Sequence, residues 1–532
     1  MSFVTNPSQQ MTLDDSTLHL TKREQKALEN SWAKTFADEV FPMIREEPFS
    51  VLYCQDNGAP NTPVNVTVGA EIIRACFGYS DDAMVEGLML DIRLQYALHT
   101  TSYEEQPLSD KSLQRFRRRC YQYELKTGID LMHDCISSLS KSIAKVMNIS
   151  GKTRRMDSMM IEANIKKLSR MELIYTCIAD VVLRLKKEKV ENIPESLLHY
   201  AEANDFNQTF YYAKQTDYSE RCINLLADAE TLLTFCKEGY DDWKEYKLFS
   251  RCMSEQTVCD ENGRRLATKE DGTMHSSILQ NPSDPEATFR SKAGQEHRGY
   301  VANLEESVGE NGSVVTEYQF EQNTYSDEKF LHDSLESMEP SKETITLTTD
   351  GAYATPKNIE LASEKNVRLI STNLIGRKAN EFYADFTLSP DGKQILSCPG
   401  KSDPILQGHP YKNGQMRVLF PISACHNCPH KDQCTAKKGK HSAAFTISIS
   451  AINRAKTQKM MHEEEGRNYA KLRNGVETLP SLLRRKYQVD ALPRGRLPGK
   501  LFFGIKIAAL NFKKLLTFRK GVGNYAKNPV IA

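Results

Sequence analysis

The segment Glu343-Thr-Ile-Thr-Leu-Thr-Thr-Asp350-Gly-Ala-Tyr353 decides the fold of this chain. Its β-branched residues predict a short strand that ends at Asp350, and Thr355-Pro356 predicts the start of a helix. In an open sheet, ligands bind beyond the carboxyl ends of the strands, and a neighbouring glycine lets another group approach the backbone closely. Asp350 is therefore a candidate site residue. The alternative is that its carboxylate only caps the turn or the helix that follows.

The elements around this strand occur in an informative order. Lys152–Ile161 is a predicted strand that contains Asp157, although strands disfavour aspartate and burial of a lone carboxylate is costly. The alternative for Asp157 is an edge position that faces water. The other predicted elements are strands at 299–304 and 313–320, a helix at 327–338, a strand at 367–372, a β-rich insertion at about 376–450, and a helix from Ala455 into Glu477. This is the element order of a ribonuclease H-like α/β fold with a mixed sheet.

Three carboxylates fall at the positions where such folds hold metal: Asp157, Asp350 and Glu477. Two divalent cations about 3.5–4 Å apart need bridging and terminal oxygen ligands, and they activate the attacking oxygen while stabilising the leaving oxygen at phosphorus. Carboxylates are the hard, anionic ligands that Mg²⁺ prefers. The trio therefore predicts phosphoryl-transfer chemistry with two Mg²⁺ or Mn²⁺ ions.

The N-terminal part is predicted to be helical, with one amphipathic helix over Thr21–Ile44 and two shorter helices at Gly69–Phe77 and Asp81–Asp91. A further capped helix, Pro107–Arg119, is dense in arginine. Helix, turn, helix and basic helix is the arrangement of a DNA-binding module, in which arginines contact phosphates or guanine edges. The predicted DNA-binding residues here are Arg115, Arg117, Arg118 and Arg119. The alternative is a surface helix whose arginines only solubilise the fold.

Four of the thirteen cysteines form a pattern: Cys398, Cys425, Cys428 and Cys434. Two cysteines separated by two residues can bind one tetrahedral metal ion, and the four thiolates together complete the ligand set of a structural zinc site. His426 or His430 are alternatives to the distant Cys398 as the fourth ligand. Free thiols and an iron–sulfur cluster are the other interpretations. Catalysis is not expected at a site with four protein ligands, since no coordination position stays open.

The composition is that of a globular protein, with 39% hydrophobic and 26% charged residues over 532 positions. We expect a helical DNA-binding domain at 1–150 and a catalytic domain at 151–532, with a helical insertion at about 171–256 to which no chemistry is assigned. From Gly466 to the end, fifteen basic residues stand against two acidic ones, although the whole chain has a net charge of +1. This region, about 466–532, predicts a face that binds the DNA backbone, and a solvated basic tail is the alternative.

No signal peptide or membrane-spanning segment is expected, since no window approaches ~18 apolar residues. The other cysteines are scattered singly, which is typical of a reducing cytosol. We therefore expect a cytoplasmic, nucleoid-associated protein with no membrane partner.

Several motifs resemble those of the DDE transposases of bacterial insertion sequences. They are Phe77-Gly-Tyr-Ser-Asp81, Asp110-Lys-Ser-Leu-Gln-Arg-Phe-Arg-Arg118, Met156-Asp157-Ser158, Asp284-Pro-Glu-Ala287 with Gly299-Tyr300, Thr349-Asp350-Gly-Ala-Tyr353, Arg473-Asn-Gly-Val-Glu477, and Ala508-Ala-Leu-Asn511-Phe-Lys-Lys514. The resemblance implies that Asp157, Asp350 and Glu477 bind the catalytic metals. It also implies double-stranded DNA partners, namely the terminal inverted repeats and the target, and a dimer or larger synaptic complex.

A related branch of this family has Tyr, Arg, Glu and Lys on the glutamate helix. Here Tyr469, Arg473 and Glu477 lie four residues apart on one helical face, and Arg484 is the later basic residue. Arg473 is predicted to contact phosphate, with an ion pair to Glu477 as the alternative. Pro480 is expected to kink or end the helix. The rival functions are a ribonuclease H-like nuclease without strand transfer and an inactive, DNA-binding remnant.

Overall fold

The computed structural model describes residues 1–6, 15–54, 58–212, 218–237, 239–261, 263–292, 294–372, 380–389, 394–411 and 414–521. The N-terminal part is helical, as predicted. Its helices are α1 (Lys22–Glu29), α2 (Trp32–Glu39), α3 (Val64–Phe77), α4 (Asp81–Leu90), α5 (Ile92–Ala97), α6 (Asp110–Thr127) and α7 (Leu131–Val146).

The single helix predicted over Thr21–Ile44 is wrong, because the chain breaks between α1 and α2. Ser31 adopts an extended backbone and its hydroxyl accepts a hydrogen bond from the Ala33 amide, so it caps a new helix. A serine at the N-cap satisfies an amide that would otherwise have no partner. The basic helix was predicted correctly: α6 begins after Ser109, which caps it.

The chain then enters the sheet and leaves it for a helical insertion. The elements are β1 (Thr153–Glu162), α8 (Arg170–Lys187), α9 (Asp205–Phe210), α10 (Tyr218–Cys236), α11 (Lys244–Gln256), β2 (Thr257–Asp260) and β3 (Gly263–Leu266). The insertion has its own hydrophobic cluster, in which Ile174, Ile178, Leu232 and Phe249 are fully buried. The hairpin of β2 and β3 lies in a region for which the sequence predicted no strand.

The remaining sheet strands and their helices are β4 (Thr288–Lys292), β5 (Gln295–Gly309), β6 (Gly312–Gln322), α12 (Asp327–Ser337), β7 (Ile345–Thr349), α13 (Pro356–Glu364) and β8 (Val367–Ser371). Strand β4 and the first part of β5, residues 295–298, come before residue 299, where the sequence predicted no strand. The other sheet elements follow the predicted order. The strand that ends at Asp350 is thus confirmed, and so is the hairpin around Gly309–Gly312.

The main sheet has the order β6-β5-β1-β7-β8, and β4 pairs with the first part of β5. The strands β1, β5 and β6 pair antiparallel, while β7 and β8 add to β1 in parallel. Three antiparallel strands followed by two parallel ones with crossover helices make the mixed sheet of a ribonuclease H-like core. The predicted fold class is therefore confirmed.

The β-rich insertion forms a small module, which we call the cysteine module (residues 380–448). Its elements are β9 (Thr387–Leu388), β10 (Ile395–Ser397), β11 (Leu406–Gln407), β12 (Gln415–Pro421), α14 (Ile422–His426), β13 (Lys437–Lys438) and β14 (Ser442–Ser448). Four of these strands form a second sheet in the order β11-β12-β14-β13. The predicted start of the insertion at about 376 lies outside the described residues.

Four helices complete the chain: α15 (Ile449–His462), α16 (Glu464–Asn474), α17 (Thr478–Tyr487) and α18 (Arg496–Arg519). The helix predicted to run without interruption into Glu477 is broken at Glu463, and Gly475–Glu477 form a 3₁₀ turn. The helix is thus interrupted just before Pro480, as expected, and the 3₁₀ turn includes Val476, the residue four positions before the proline. Pro480 itself is the third residue of α17, where its missing N–H has no partner to lose.

The predicted boundary at residue 150 is not a boundary of the core. One hydrophobic cluster contains residues of α3, α7, the sheet and α18, for example Ile72, Ile143, Leu304 and Phe512. Helix α18 is buried along most of its length. It therefore joins the N-terminal helices to the sheet as one packed body.

Several cations of the basic C-terminal region are paired with carboxylates of the same chain, so the charge of this region is partly neutralised within the molecule. Ion pairs join Arg484 to Asp490, Arg496 to Glu321, Lys500 to Glu124 and Asp130, Lys514 to Glu306, and Arg519 to Glu39. Residues 522–532 of this region lie outside the described residues. No helix among the described residues has the length and apolar character that crossing a bilayer requires.

Candidate active site and cysteine cluster

The register of the sheet relates Asp157 to Asp350. Strands β1 and β7 run parallel with Arg155 opposite Thr348. Asp157 follows Arg155 by two residues and lies on the same face of β1. Asp350 follows Thr348 by two residues and is the first residue after β7. The aspartates are 193 positions apart in sequence, and the parallel pairing places them at the same end of two neighbouring strands.

Asp350 also has the local role that the sequence left open. Its Oδ1 accepts a hydrogen bond from the Gly351 amide at 2.6 Å, and its carbonyl accepts one from the Tyr353 amide. The carboxylate thus stabilises the turn after β7. This bond uses only one oxygen, and the Asp350 side chain is half-buried.

Arg473 links the other two acidic residues. Its guanidinium lies 3.1 Å from Asp157 Oδ2 and 2.6 Å from Glu477 Oε1. The Arg473 side chain is 9% exposed, Asp157 is 20% exposed and Glu477 is 56% exposed. The arginine is therefore the most buried of the three, and the site is most accessible to solvent at Glu477. The ion pair with Glu477 that the sequence offered as an alternative is therefore present, and it extends to Asp157.

The electrostatics of Asp157 favour a bound cation. Burial raises the pKa of Asp157 above its ordinary value, and the nearby charge of Asp327 raises it further, while Arg473 and Lys292 lower it. Removing a carboxylate from water disfavours its ionised form unless positive charge is close. Arg473 supplies only part of the positive charge that this buried carboxylate requires.

Two residues of this region were not identified from the sequence. Asp327 lies in the first turn of α12, where acidic residues commonly stabilise the helix, yet its Oδ1 is buried and has no hydrogen-bond partner among the described residues. Arg155 lies on the same face of β1 as Asp157 and is 5% exposed. A charged residue inside a predicted strand is the signal that identifies Arg155 as unusual.

The three carboxylates provide the donors that Mg²⁺ takes, but they are not arranged as a closed metal cage. Within the described residues, no three His, Cys, Asp or Glu side chains meet closely enough to hold a metal ion. Between Asp157 and Glu477 the positive charge is that of Arg473. The donor chemistry and the raised pKa of Asp157 fit a divalent cation, and binding requires Arg473 to share its two carboxylates with it.

The four cysteines lie around one cavity of about 40 Å³ in the cysteine module, together with Lys431 and Lys438. The pKa of Cys425 is raised by burial and by the charges of the other three thiols, while Lys438 lowers it. A Cβ on Gly400 would lie 2.8 Å from Cys428 Sγ and 3.6 Å from Cys398 Sγ. Glycine at this position therefore lets two sulfur atoms approach the backbone.

The two histidines considered as alternative ligands do not line this cavity, and His430 packs against the ring of Phe382 at 5.9 Å between centroids. Thiolates are ligands that Zn²⁺ takes, and two lysines line the same cavity. The four sulfur atoms are nevertheless not arranged as a closed ligand set, because no three His, Cys, Asp or Glu side chains among the described residues are placed to hold a metal ion.

The arginines of α6 divide into two groups. Arg115 and Arg118 are exposed, and Arg119 lies over the ring of Tyr53 at 4.7 Å. The DNA-binding prediction for Arg117 is contradicted by its position. Its side chain is 9% exposed, and its guanidinium donates to Glu71 at 2.6 Å and to Asp81 at 2.7 and 2.8 Å. These carboxylates raise the pKa of Arg117 despite its burial, so the charge is stable inside the domain.

Arg484 has two partners within the chain. It donates to the Met160 carbonyl at 2.6 Å and pairs with Asp490 at 3.2 Å, and its side chain is 40% exposed. Arg484 thus connects α17 to the last part of β1 by a hydrogen bond, while part of its side chain stays accessible to solvent.

Comparison with known families gives two matches. Residues 397–516 match the family model described as Transposase DDE domain, and residues 24–119 match Transposase domain (DUF772). The first region contains the four cysteines and Glu477, and the second contains the arginines of α6, while Asp157 and Asp350 lie outside both. The comparisons with curated proteins and with solved structures gave no match.

Proposed function

We propose that this chain, whose two matched regions support an insertion-sequence DDE transposase, cuts DNA strands at the ends of its element and joins the freed 3′-hydroxyl to target DNA. The observation that supports this proposal most directly is the bridge that Arg473 makes between Asp157 and Glu477. Asp350 lies at the same end of the neighbouring parallel strand.

Asp157, Asp350 and Glu477 would hold two Mg²⁺ or Mn²⁺ ions in this proposal. Such ions activate the attacking oxygen and stabilise the leaving oxygen when bound. Asp157 contributes a desolvated carboxylate whose charge is only partly balanced. Glu477, which is more exposed, contributes a ligand on the side from which DNA enters.

Arg473 would contact the phosphate group that is cut. Its planar guanidinium is already fixed by two carboxylates and needs little reorganisation to donate to a phosphate oxygen. Arg484 would hold the backbone further along, since part of its side chain is exposed.

Double-stranded DNA would bind across α6 as well. Arg115 and Arg118 are exposed there, and Arg119 is half-buried. These side chains would contact the terminal inverted repeats, with Arg117 excluded for the reason given above. Because both ends of an element must be processed together, we propose that the active form is a dimer or a larger synaptic complex, and that it works at the nucleoid in the cytoplasm.

An excision assay tests the proposal. A donor plasmid carrying the DNA that flanks this gene is incubated in Mg²⁺ with the wild type or with Asp350→Asn. We expect excision and strand transfer by the wild type alone, because the variant loses one anionic ligand while keeping a side chain of the same size.

Other outcomes identify the rival functions. Cleavage without joining in the wild type would indicate a nuclease without strand transfer. DNA binding without cleavage by either protein would indicate an inactive remnant. Equal excision by both proteins would mean that Asp350 does not belong to the active site.

We also propose that Cys398, Cys425, Cys428 and Cys434 hold a structural Zn²⁺ ion. The cysteine module has only a small apolar cluster, which includes Phe382, Phe386 and Phe445. In small domains of this kind, metal binding contributes directly to the free energy of folding.

Zinc content measured by mass spectrometry, together with limited proteolysis, tests the zinc site. We expect about one zinc ion per chain in the wild type, almost none in Cys428→Ser, and rapid cleavage of that variant within the cysteine module. Cys259→Ser is the matched control, because Cys259 is an exposed free thiol on β2. A zinc content that Cys428→Ser leaves unchanged would rule out Cys428 as a ligand.

A further inference from the structure

A buried cluster of charges lies beneath the candidate active site, formed by Arg155 on β1, Glu306 on β5 and Lys514 on α18. Arg155 donates through Nε to Glu306 Oε2 at 2.6 Å, and Lys514 pairs with Oε1 of the same carboxylate. Glu306 is fully buried and Arg155 is 5% exposed. Burying charged groups in this way is costly unless each is paired, so Glu306 fixes the position of the Arg155 guanidinium.

The free edge of this guanidinium reaches the segment that carries Glu477. Arg155 Nη1 donates to the Leu472 carbonyl at 2.8 Å, in the last turn of α16. The next residue in the chain is Arg473, which contacts both Asp157 and Glu477. Carbonyls at the end of a helix lack partners within the helix, and Arg155 satisfies this one.

The position of Arg155 also explains why residue 475, in the same segment, is a glycine. A Cβ built on Gly475 would overlap Nη1 of Arg155. The guanidinium therefore occupies the space of a side chain at position 475, directly against the 3₁₀ turn Gly475–Glu477. A glycine in the Arg473–Glu477 motif is required by this contact.

We propose that Arg155 is a positioning residue that sets the separation of Glu477 from Asp157. It lies two positions before Asp157 on the same strand face, donates to the carbonyl just before Arg473, and packs against Gly475 in the turn that ends in Glu477. Any shift of this guanidinium moves the Glu477 segment relative to β1. The inference rests on the proposed function, because it assigns Arg155 a role towards the metal ligands named there.

The alternative is that Arg155 only stabilises the sheet, and the neighbouring residue provides the control for it. Arg154 pairs with Glu305 at 2.7 Å on the same two strands, one position along and on the opposite face. Its other hydrogen bond goes to the Gly151 carbonyl at 2.8 Å. Arg154→Met therefore removes an ion pair between β1 and β5 while leaving the contacts of Arg155 with α16 in place.

The test compares the full-length variants Arg155→Met and Arg154→Met. Mn²⁺ binding is measured by isothermal titration calorimetry, and the Mg²⁺ concentration for half-maximal cleavage and the thermal midpoint are measured on the same samples. We expect both variants to melt at a lower temperature. Only Arg155→Met should weaken Mn²⁺ binding, by roughly 10–100-fold as is typical for residues that support metal ligands, and raise the Mg²⁺ requirement.

Two further variants keep the test decisive. If Arg155→Met does not fold, Arg155→Lys keeps the charge opposite Glu306 but cannot reach Glu306 and Leu472 together, and Gly475→Ala displaces the guanidinium from the opposite side. Both are expected to weaken Mn²⁺ binding. Metal affinities equal to that of Arg154→Met in all these variants would overturn the positioning role.

Glu477→Gln separates this inference from the proposed function. Loss of Mn²⁺ binding in Glu477→Gln with normal binding in the Arg155 variants would refute the positioning role alone. Normal Mn²⁺ binding and cleavage in Glu477→Gln would refute the proposed metal site itself, and the positioning role with it.

Discussion

Asp157→Asn is expected to lower DNA cleavage by about a thousandfold or more while leaving thermal stability equal to or above that of the wild type. The loss follows because metal ligands of this kind account for several kcal/mol of transition-state stabilisation, and each 1.36 kcal/mol is about a factor of ten in rate. Thermal stability should be retained because Asp157 is mostly buried, where its charged form is disfavoured, and the neutral amide of asparagine avoids that cost.

The pH dependence of stability supplies an independent readout. Because the pKa of Asp157 is raised by burial, the folded protein holds this proton more tightly than the unfolded chain does. Ionisation of Asp157 at neutral pH therefore costs folding stability, and the cost disappears as the pH falls below the raised pKa. The amide introduced by Asp157→Asn does not titrate, so this part of the pH dependence should be absent from the melting curves of the variant.

Asp82→Asn is a suitable control, because Asp82 is exposed in the first turn of α4. It should retain cleavage. An Asp157→Asn protein that cleaves DNA at the wild-type rate, or one that melts far below the wild type, would contradict the assignment of Asp157 as a desolvated metal ligand.

Arg117→Met is expected to destabilise the protein by about 3–5 kcal/mol, the range found when one partner of a buried ion pair is removed. Glu71 is fully buried, and its carboxylate pairs with Arg117 and with Arg74. Both guanidinium groups also lie over the ring of Phe502 on α18, at 4.9 Å for Arg117 and 5.1 Å for Arg74. Loss of Arg117 therefore weakens the contact between the N-terminal helices and α18 as well.

Arg118→Met is the matched control, since Arg118 is the next residue and is exposed. Its unfolding free energy should change by less than about 0.5 kcal/mol. Its affinity for the flanking DNA should fall, and the dependence of binding on salt should weaken by about one unit of slope if it contacts one phosphate. Chemical denaturation and DNA titrations at several salt concentrations measure both effects. The reverse pattern, with Arg117→Met stable and unable to bind DNA, would restore the sequence-based assignment.

Much of the fold could be predicted because local signals act within a few residues. The β-branched run before Asp350, the glycines around the β5–β6 turn and the cap at Ser109 each specify the backbone of their own segment. The order of strands and helices then allowed a ribonuclease H-like sheet to be predicted. A prediction failed at Ser31, where the hydroxyl caps a second helix and so divides the single helix that the apolar spacing predicted.

The sequence by itself determined which residue types the chain carries for chemistry and in what order: two aspartates at strand positions, a glutamate after an arginine, and four cysteines. Only the tertiary structure decided how these residues are paired. Arg473 and Asp157 are 316 positions apart, and Arg155 and Leu472 are 317 apart. Arg117 and Arg118 are adjacent, yet one is buried with Glu71 and the other faces solvent. The physical reason is that a charge acts through its distance from other charges and from water, and packing of distant segments alone fixes those distances.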